Sequence, residues 1–447
     1  MTQADKQQPG DAVAGSGDSA ARAGDGVTDS RVYPIGSRVN ERGHLELGGC
    51  DAVEIAAEFG TPAYVDVEDD IRSRAREYLG AFRRHDDNFE VLYASKAAPV
   101  SAIYSLLREE GLSVDVASGG ELHIALGAGF EPARIHMHGN NKTEAELRMA
   151  VEAGVGHIIC DSFDEIARLD GLLDRPQDVL IRVTPGIKAA THSYIQTGQL
   201  DSKFGFGLED GLAAKAVDQI RSSRNLRLAG LHAHIGSQIF ELEPYVKMIE
   251  ALAELWDDEC RLLNVGGGLG IAYTAEDEPP SIAEYFDVKV EGVHRVFGDG
   301  PRILIEPGRS LVGSAGVTLY TVGTIKEIPG VRTYVAVDGG MSDNLRPMLY
   351  GDRYEALIAN RAASQADVTA TVAGMHCESS DMIVHDAALA APAVGDILAT
   401  PATGAYGHAM ANNYNGVPRP PVIFCGQGNA HEVVRRETYD ELTARDV

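Results

Sequence analysis

The stretch VLYASK at residues 91–96 is the first of five apolar runs that recur about every 22 residues along the chain. The other four are SVDVAS from Ser113, IHMH from Ile135, HIIC from His157 and VLIRVTP from Val179. Helical spacing of apolar residues lies between them, at 100–110, 121–128 and 143–153. This alternation predicts parallel strands joined by helices.

Three further strands are predicted at 229–234, 262–265 and 302–306, which brings the total to eight. Eight strands alternating with helices are typical of a (β/α)8 barrel of the TIM type. A doubly wound parallel sheet gives a similar alternation and is the structural alternative. The count of eight, together with the polar and glycine residues at the strand ends, favours the barrel.

The character of the sequence changes after Gly308. Short β-branched runs (VTLYTVGTI, RTYVAVDGG, DVTATVAG and GDILAT) are separated by turn residues, which predicts a second, all-β domain, a β-barrel or β-sandwich. We therefore expect a barrel at 55–310 and a β domain at 311–447, to which 31–54 contributes. Residues 1–30 are rich in Gly, Ala, Ser and Asp without an apolar core, which predicts a disordered tail and not a secretory signal.

Composition excludes several classes of protein. The formal net charge of −27 argues against nucleic acid as a partner, because phosphate binding needs a basic face. No run reaches the roughly 18 apolar residues that a transmembrane helix needs. The five cysteines lie far apart and form no CxxC pair, which argues against a zinc ribbon and suits a reducing cytoplasm.

Barrel enzymes place their sites on the loops after the carboxyl ends of the strands. Polar and glycine residues occupy these positions here: Lys96, Ser118–Gly120, His138–Asn140, Asp161, His234, Gly266–Gly268 and Glu306. The glycines after the seventh strand, with Gly308 and Arg309 after the eighth, predict a phosphate site, although a tight turn is the simpler explanation for any one glycine. Ile271 breaks the GxGxxG spacing, which argues against a dinucleotide fold.

Lys96 ends the first predicted strand among small residues. A lysine desolvated at a barrel mouth has a nucleophilic amine that can form an imine, whereas an ordinary strand-end lysine is only solvated surface. Lys142 competes with it, since it also follows a strand end. Glu306 could keep a pyridine nitrogen protonated, and an internal ion pair with Arg309 is the structural alternative.

The motifs YASK, HAHIGSQ, NVGGGLG, EPGR, DGGMSDNLRP, CESSD and GAY occur in this order across both predicted domains. With them the chain, from about residue 31 to 447, resembles the diaminopimelate decarboxylase family. This family belongs to the fold-type-III pyridoxal-phosphate enzymes, with ornithine decarboxylase and alanine racemase. The resemblance implies pyridoxal 5'-phosphate as cofactor and decarboxylation of meso-2,6-diaminopimelate to L-lysine and CO2, the last step of lysine biosynthesis.

The resemblance also implies roles for individual residues. Lys96 would carry the cofactor as a Schiff base, His234 would stack on its ring and Glu306 would meet its pyridine nitrogen. The phosphate would be held by Ser237, Gly266, Gly267, Gly268, Gly308 and Arg309. The substrate would be bound by Arg309, Arg346, Tyr350, Glu378 and Tyr406, of which Tyr406 would also contact the cofactor. Cys377 would be the proton donor, reaching the site with Glu378 from a partner subunit, which implies a homodimer.

Three other functions compete with this interpretation. A related decarboxylase could act on ornithine, arginine or a modified diamino acid, which lack the distal carboxylate that Arg346 would bind. A metal-dependent barrel hydrolase could use His136 and His138, or His232 and His234, although no carboxylate is expected to bridge these pairs. A catalytically inactive homologue is the third alternative, and the intact Lys96 argues against it.

Overall fold

The structure is a computed structural model that describes residues 29–84, 88–187 and 202–447. The predicted tail lies outside these residues except for Asp29 and Ser30. The twelve helices described are α1 (Ala52–Phe59), α2 (Glu68–Arg83), α3 (Ser101–Glu109), α4 (Gly119–Gly127), α5 (Glu144–Ala153), α6 (Phe163–Leu172), α7 (Leu212–Ser222), α8 (Glu243–Leu252), α9 (Ile282–Phe297), α10 (Arg309–Val312), α11 (Arg346–Tyr350) and α12 (Tyr439–Leu442).

Thirteen of the strands in the described residues precede residue 310, and the first four lie before the barrel. They are β1 (Arg38–Val39), β2 (Leu45–Leu47), β3 (Cys50–Asp51), β4 (Ala63–Val67), β5 (Phe89–Ala94), β6 (Ser113–Val116), β7 (Ile135–Met137), β8 (His157–Cys160), β9 (Gln177–Thr184), β10 (Phe206–Gly207), β11 (Leu226–His232), β12 (Leu262–Asn264) and β13 (Arg302–Ile305).

Eight of these strands close into a parallel barrel in the order β5–β6–β7–β8–β9–β11–β12–β13, and β13 pairs with β5. This closure confirms the predicted (β/α)8 barrel and rules out the doubly wound sheet, whose edge strands stay open. The short β10 pairs only with β9. Side chains alternate across each strand, so that Val91 and Tyr93 pack outward while Leu92 joins a small apolar cluster inside the barrel.

Side-chain caps fix where several of the barrel helices begin. Thr143 and Ser281 each form a capping box, at α5 with Glu146 and at α9 with Glu284. In this arrangement each cap hydroxyl accepts from a backbone N–H that the helix leaves unpaired. The carboxyl ends of the strands therefore pass into loops of fixed length, where the candidate site lies.

The second domain is β-rich, as predicted. Its strands are β14 (Gly316–Ile328), β15 (Arg332–Val337), β16 (Leu357–Ile358), β17 (Val368–Ala373), β18 (Met382–Leu389), β19 (Ile397–Pro401), β20 (Val422–Gly426) and β21 (Asn429–Val434). The main path of its sheet is β18–β17–β15–β14–β4–β20–β21, and β19 joins β14 to β16.

The boundary between the domains differs from the prediction. Strand β4 pairs with β14 and β20, so the predicted start of the barrel at residue 55 is too early. The segment before it forms the small sheet β1–β2–β3, and its Val32, Leu45 and Leu47 pack into the apolar core of the β-rich domain. In the part of the chain that the structure describes, no helix is both long and apolar enough to span a membrane.

Candidate active site at the barrel mouth

A small cavity lies at the carboxyl ends of the barrel strands. Its lining consists of Ala94, Lys96, Asp115, His234, Ser237, Gly268, Leu269, Glu306, Gly308, Arg309, Ser310 and Tyr406. Most of the residues proposed for the cofactor therefore meet in one place, whereas Gly266, Gly267, Arg346, Tyr350, Cys377 and Glu378 are outside this lining.

The structure separates the two candidate lysines. Lys96 lies in the turn that follows β5, and its side chain is exposed, so the expected desolvation is not seen in the single chain. The ammonium of Lys142 is instead buried and lies 2.7 Å from Glu165 Oε1. Of these two amines, that of Lys96 is the one that lines the cavity.

Glu306 is a buried carboxylate with three side-chain neighbours. Asn264 Nδ2 donates to its Oε1 at 2.6 Å, His138 Nε2 lies 2.8 Å from Oε1, and His232 Nε2 lies 3.2 Å from Oε2. Burial alone would raise the pKa of Glu306, but the two histidines outweigh it and hold the pKa well below its usual range. An ionised carboxylate therefore lines the cavity, and the predicted alternative of a pair with Arg309 is not seen among the described contacts.

The histidines are arranged differently from the predicted metal pairs. His138 and His232 come from different pairs, and Glu306 joins them, with ligand atoms within 4.8 Å of one another. The expectation that no carboxylate bridges the pairs is therefore wrong. The remaining members point elsewhere: His136 lies 3.6 Å from Glu90, and His234 lines the cavity. Neither pair acts as a unit, as a His-x-His metal site requires.

His234 presents a neutral ring to the cavity. Burial and the positive charges of Lys96 and Arg182 hold the pKa of His234 well below its usual value. Its Nδ1 accepts a hydrogen bond from Gly267 N at 3.3 Å, which assigns the ring proton to Nε2. A neutral imidazole of fixed orientation suits stacking on an aromatic ligand.

The three glycines after β12 have different contacts. Gly268, with a φ of +106°, lines the cavity, while Gly266 N donates to Asn264 Oδ1 at 3.0 Å and Gly267 N to His234. A side chain at Gly267 would place its Cβ 2.1 Å from the Glu306 carbonyl oxygen. The loop therefore needs glycine to lie against β13, and it orients the side chains that surround the cavity.

Two arginines meet beside Tyr273. The guanidinium of Arg309 donates to Tyr273 Oη and to Ser237 Oγ, the latter at 3.1 Å, and it lies 4.6 Å above the ring of Tyr406. Arg346 forms an ion pair with Asp352. Its guanidinium lies 5.5 Å from the centre of the Tyr406 ring, which Arg309 also contacts. Arg346 is also 5.2 Å from the ring of Tyr350. The Nε atoms of both arginines are buried without a partner among the described residues.

Tyr406 shows how the β-rich domain reaches the barrel. Its backbone is left-handed, with a φ of +58°, and its N–H donates to the Ala97 carbonyl at 2.7 Å. This bond fastens the GAY loop to the turn that carries Lys96. A non-glycine residue at such a φ is costly and occurs mainly at functional sites.

Cys377 and Glu378 lie apart from the cavity, on an exposed loop of the β-rich domain. Cys377 N donates to Asn415 Oδ1 at 3.2 Å, and Glu378 Oε1 accepts from Tyr414 Oη at 2.6 Å. The loop is therefore held in place, but its two functional candidates face outward from the single chain.

Sequence reasoning missed four residues of this site: Asp115, His138 as a neighbour of Glu306, Asn264 and Tyr273. The first three share a signal that was available, since each occupies an inward position of an alternating strand, near its carboxyl end. Burial raises the pKa of Asp115 to about 7. Tyr273 lies in a loop, and nothing in its spacing points to the site.

Comparisons with known proteins agree with this geometry. The model of the pyridoxal binding domain of pyridoxal-dependent decarboxylases matches residues 68–313. Diaminopimelate decarboxylase of Bacillus subtilis is 51% identical, over 92% of this chain and 97% of the relative. The chain belongs to the diaminopimelate decarboxylase family.

Other members of the family extend the likeness to solved structures. The diaminopimelate decarboxylase of Mycobacterium tuberculosis is 42% identical, over 93% of this chain and 98% of its own. The crystal structure of the m. jannaschii diaminopimelate decarboxylase with L-lysine matches with a TM-score of 0.86 and 34% identity, over 92% of this chain and 97% of that one. The Helicobacter pylori enzyme with L-lysine matches with a TM-score of 0.81 and 29% identity.

The family's cofactor is pyridoxal phosphate, and the residues at the cavity fit it. Lys96 offers an amine, Glu306 an ionised carboxylate for a pyridinium, and His234 a neutral ring for stacking. At the same cavity, Gly268, Ser237 and Arg309 provide the small residue, hydroxyl and cation that an anionic phosphate requires.

Proposed function

We propose that this chain removes one carboxylate of meso-2,6-diaminopimelate as CO2 and so forms L-lysine, the last step of lysine biosynthesis. The observation that carries the proposal is the 51% identity to a diaminopimelate decarboxylase over nearly the whole of both chains. The structures of two relatives with L-lysine support it, since L-lysine would be the product.

Bound pyridoxal phosphate supplies the electron sink that lets the α-carboxylate leave as CO2. In this chain Lys96, whose amine lines the cavity, would hold the cofactor covalently. Glu306, kept ionised by His138 and His232, would stabilise a proton on the pyridine nitrogen. His234 would stack on the ring, and Ser237, Gly308 and Arg309 would bind the phosphate.

The second carboxylate of the substrate selects it over ornithine and arginine. Arg309 and Arg346 share Tyr406 as a neighbour and have buried Nε donors without a described partner. A carboxylate between them would accept these hydrogen bonds, which are strongest when both partners are charged. Asp352 already pairs with Arg346, so the substrate must share that arginine.

We further propose a homodimer in which each subunit completes the other's site. Cys377 and Glu378 are the predicted proton donor and amine-binding acid, yet they face away from their own cavity. Met375, two residues before Cys377, and Tyr414, which donates to Glu378, are 52% and 40% exposed. Apolar side chains exposed around a predicted catalytic thiol suit a surface that a second copy covers.

A cytoplasmic location is also proposed. The five cysteines are all free thiols in the structure, as in proteins of a reducing compartment. The substrate, an amino acid, and the cofactor are small soluble molecules that need no membrane attachment.

A CO2-release assay tests the function. The purified chain is given meso-, LL- and DD-diaminopimelate, ornithine and arginine, each with and without added pyridoxal phosphate. We expect release from the meso isomer and a dependence on the cofactor. Release from ornithine but not from diaminopimelate would overturn the proposed substrate, and no release from any of the five would favour the inactive homologue.

A further inference from the structure

Among the described residues, two lysines, Lys142 and Lys289, have fully buried side chains. Buried cations are normally paired with a carboxylate, and Lys142 follows this rule through Glu165. Lys289, in the middle of α9, does not. Its Nζ donates to three neutral oxygens, Val265 O at 2.6 Å, Tyr285 Oη at 2.6 Å and Gly266 O at 2.9 Å.

The surroundings of Lys289 fix its position closely. The Nζ lies 4.5 Å from the ring centre of Tyr245 and 4.4 Å from that of Tyr285. The two rings contact each other edge to face at 5.2 Å. Burial holds the pKa of Lys289 well below its usual value, while the aromatic faces and the three oxygens favour the charged form of the amine. The side chain is thus held between the two rings, with its Nζ directed at the start of the glycine loop.

The two carbonyls that Lys289 binds belong to consecutive peptides, and each peptide has an N–H on its opposite side. In the first peptide the carbonyl is that of Val265, and the N–H is that of Gly266, which donates to Asn264 Oδ1 at 3.0 Å. In the second the carbonyl is that of Gly266, and the N–H is that of Gly267, which donates to His234 Nδ1 at 3.3 Å. Lys289 is thus linked through one peptide to each of two side chains at the cavity.

These side chains carry the geometry of the site. Asn264, held through its Oδ1, donates its amide to Glu306 Oε1 at 2.6 Å. His234, held through its Nδ1, must carry its proton on Nε2. The Gly266 carbonyl also accepts from Glu306 N at 3.2 Å, so that the same peptide joins Lys289 to the backbone of β13. A hydrogen-bond donor on the carbonyl side of a peptide polarises it and strengthens the N–H as a donor.

We propose that Lys289 is a positioning residue of the cofactor site. It holds the Val265–Gly266 and Gly266–Gly267 peptides so that Asn264 orients Glu306 and His234 keeps the tautomer and plane needed for stacking. The inference rests on the proposed use of this cavity for pyridoxal phosphate. It assigns a role in that site to a residue that touches neither cofactor nor substrate.

The test uses Lys289→Met in the full-length protein, with Lys142→Met as the matched control at the other buried lysine. Two properties are measured: the dissociation constant of pyridoxal phosphate from its visible absorbance on the protein, and the tautomer of His234 from 15N-histidine NMR of the cofactor-free protein. We expect Lys289→Met to weaken cofactor binding about tenfold or more and to mix the His234 tautomers. Lys142→Met should change thermal stability but neither of these properties.

Tyr285→Phe provides a second variant should Lys289→Met not fold. It deletes one of the three acceptors of Lys289 and no side-chain carbon, and we expect a loss of cofactor affinity of about two- to threefold. Wild-type affinity and a single His234 tautomer in Lys289→Met would overturn the proposal, as would equal effects in Lys142→Met. Neither readout depends on which amino acid is decarboxylated. Failure of the wild-type protein to bind the cofactor would instead contradict the proposed use of the cavity.

Discussion

The barrel and the β-rich domain contribute to the site in different ways. The barrel residues are gathered around one cavity, where Glu306 has three side-chain partners and His234 is fixed by Gly267. The candidates of the β-rich domain are divided: Tyr406 lines the cavity, Arg346 lies behind it, and Cys377 is exposed on an outer loop. Under the proposed function, a single chain would therefore have a complete cofactor half and an incomplete substrate half.

The cofactor half and the substrate half differ in what they require of the protein. The cofactor half depends on exact orientation, which buried hydrogen bonds and close glycine contacts supply. The substrate half depends on residues of the β-rich domain, and in the proposed homodimer a second subunit would provide the rest of it. Variants in the barrel should therefore affect cofactor chemistry, and variants in the β-rich domain should affect turnover with the cofactor still bound.

The largest effect is expected for Lys96→Ala, which removes the amine from the barrel half. Turnover should fall by roughly a thousandfold or more, because the covalent attachment of the cofactor is lost. The visible absorbance of the lysine-bound cofactor should disappear as well. Lys142→Ala is the control, and loss of that absorbance in the control with its retention in Lys96→Ala would reassign the lysine.

Glu306→Gln tests whether the barrel half needs charge or only shape. The amide has the same size but cannot hold a proton on the pyridine nitrogen, so we expect kcat to fall by about a hundredfold. Cofactor absorbance through Lys96 should persist. An unchanged kcat would show that the contacts with His138 and His232 serve stability alone.

The sequence predicted the fold closely because the two patterns that indicate it, apolar runs and the helical spacing between them, are local. The 22-residue recurrence identified five barrel strands, and further apolar runs the other three, all within a few residues, since apolar runs and helical spacing are visible in sequence. The boundary at residue 55 failed for a non-local reason. Strand β4 resembles any other apolar run, and only its pairing with β14 and β20 places it in the other domain.

The site was predictable where the position in a strand or a motif fixes the side chain, as for Lys96, His234 and Glu306. Sequence gave no means of seeing which polar side chains of different strands meet. His138 and Asn264 converge on Glu306 across the barrel from residues 168 and 42 positions away, and Lys289 reaches the glycine loop from the following helix. Such contacts depend on closure of the barrel and have no local signature.

Cys377→Ala tests the incomplete half. We expect kcat to fall by roughly a hundredfold while cofactor absorbance stays normal, because a general acid contributes about that much. Mixing Cys377→Ala with Lys96→Ala gives the stronger test. In a homodimer that exchanges this loop, mixed dimers regain one intact site, and an equal mixture should recover about a quarter of wild-type activity. If the mixture recovers nothing, Cys377 acts within its own chain or not at all.

The smallest effect expected is on the thermal stability of the protein, through a residue of the β-rich sheet. Asp66, on β4, is fully buried like Glu306, but its Oδ1 has no partner among the described residues. Burial raises the pKa of Asp66 to about 7 from its ordinary 3.8. Between these values the folded chain keeps a proton that the unfolded chain releases, so this group's contribution to stability falls as pH rises from about 4 to about 7.

Asp66→Asn removes that titration. We expect the variant to gain Tm relative to the wild type as pH rises through this window, by a few degrees near pH 8, with a constant difference above about pH 7. Asp343→Asn is the matched control. The pKa of Asp343 is also raised by burial to about 7, but its two oxygens accept from Tyr320 Oη and Gly340 N, and an amide can replace only one of them. That variant should lose Tm at every pH. If Asp343→Asn instead gained as much Tm as Asp66→Asn, burial alone, and not the missing hydrogen-bond partner, would account for the loss of stability at Asp66.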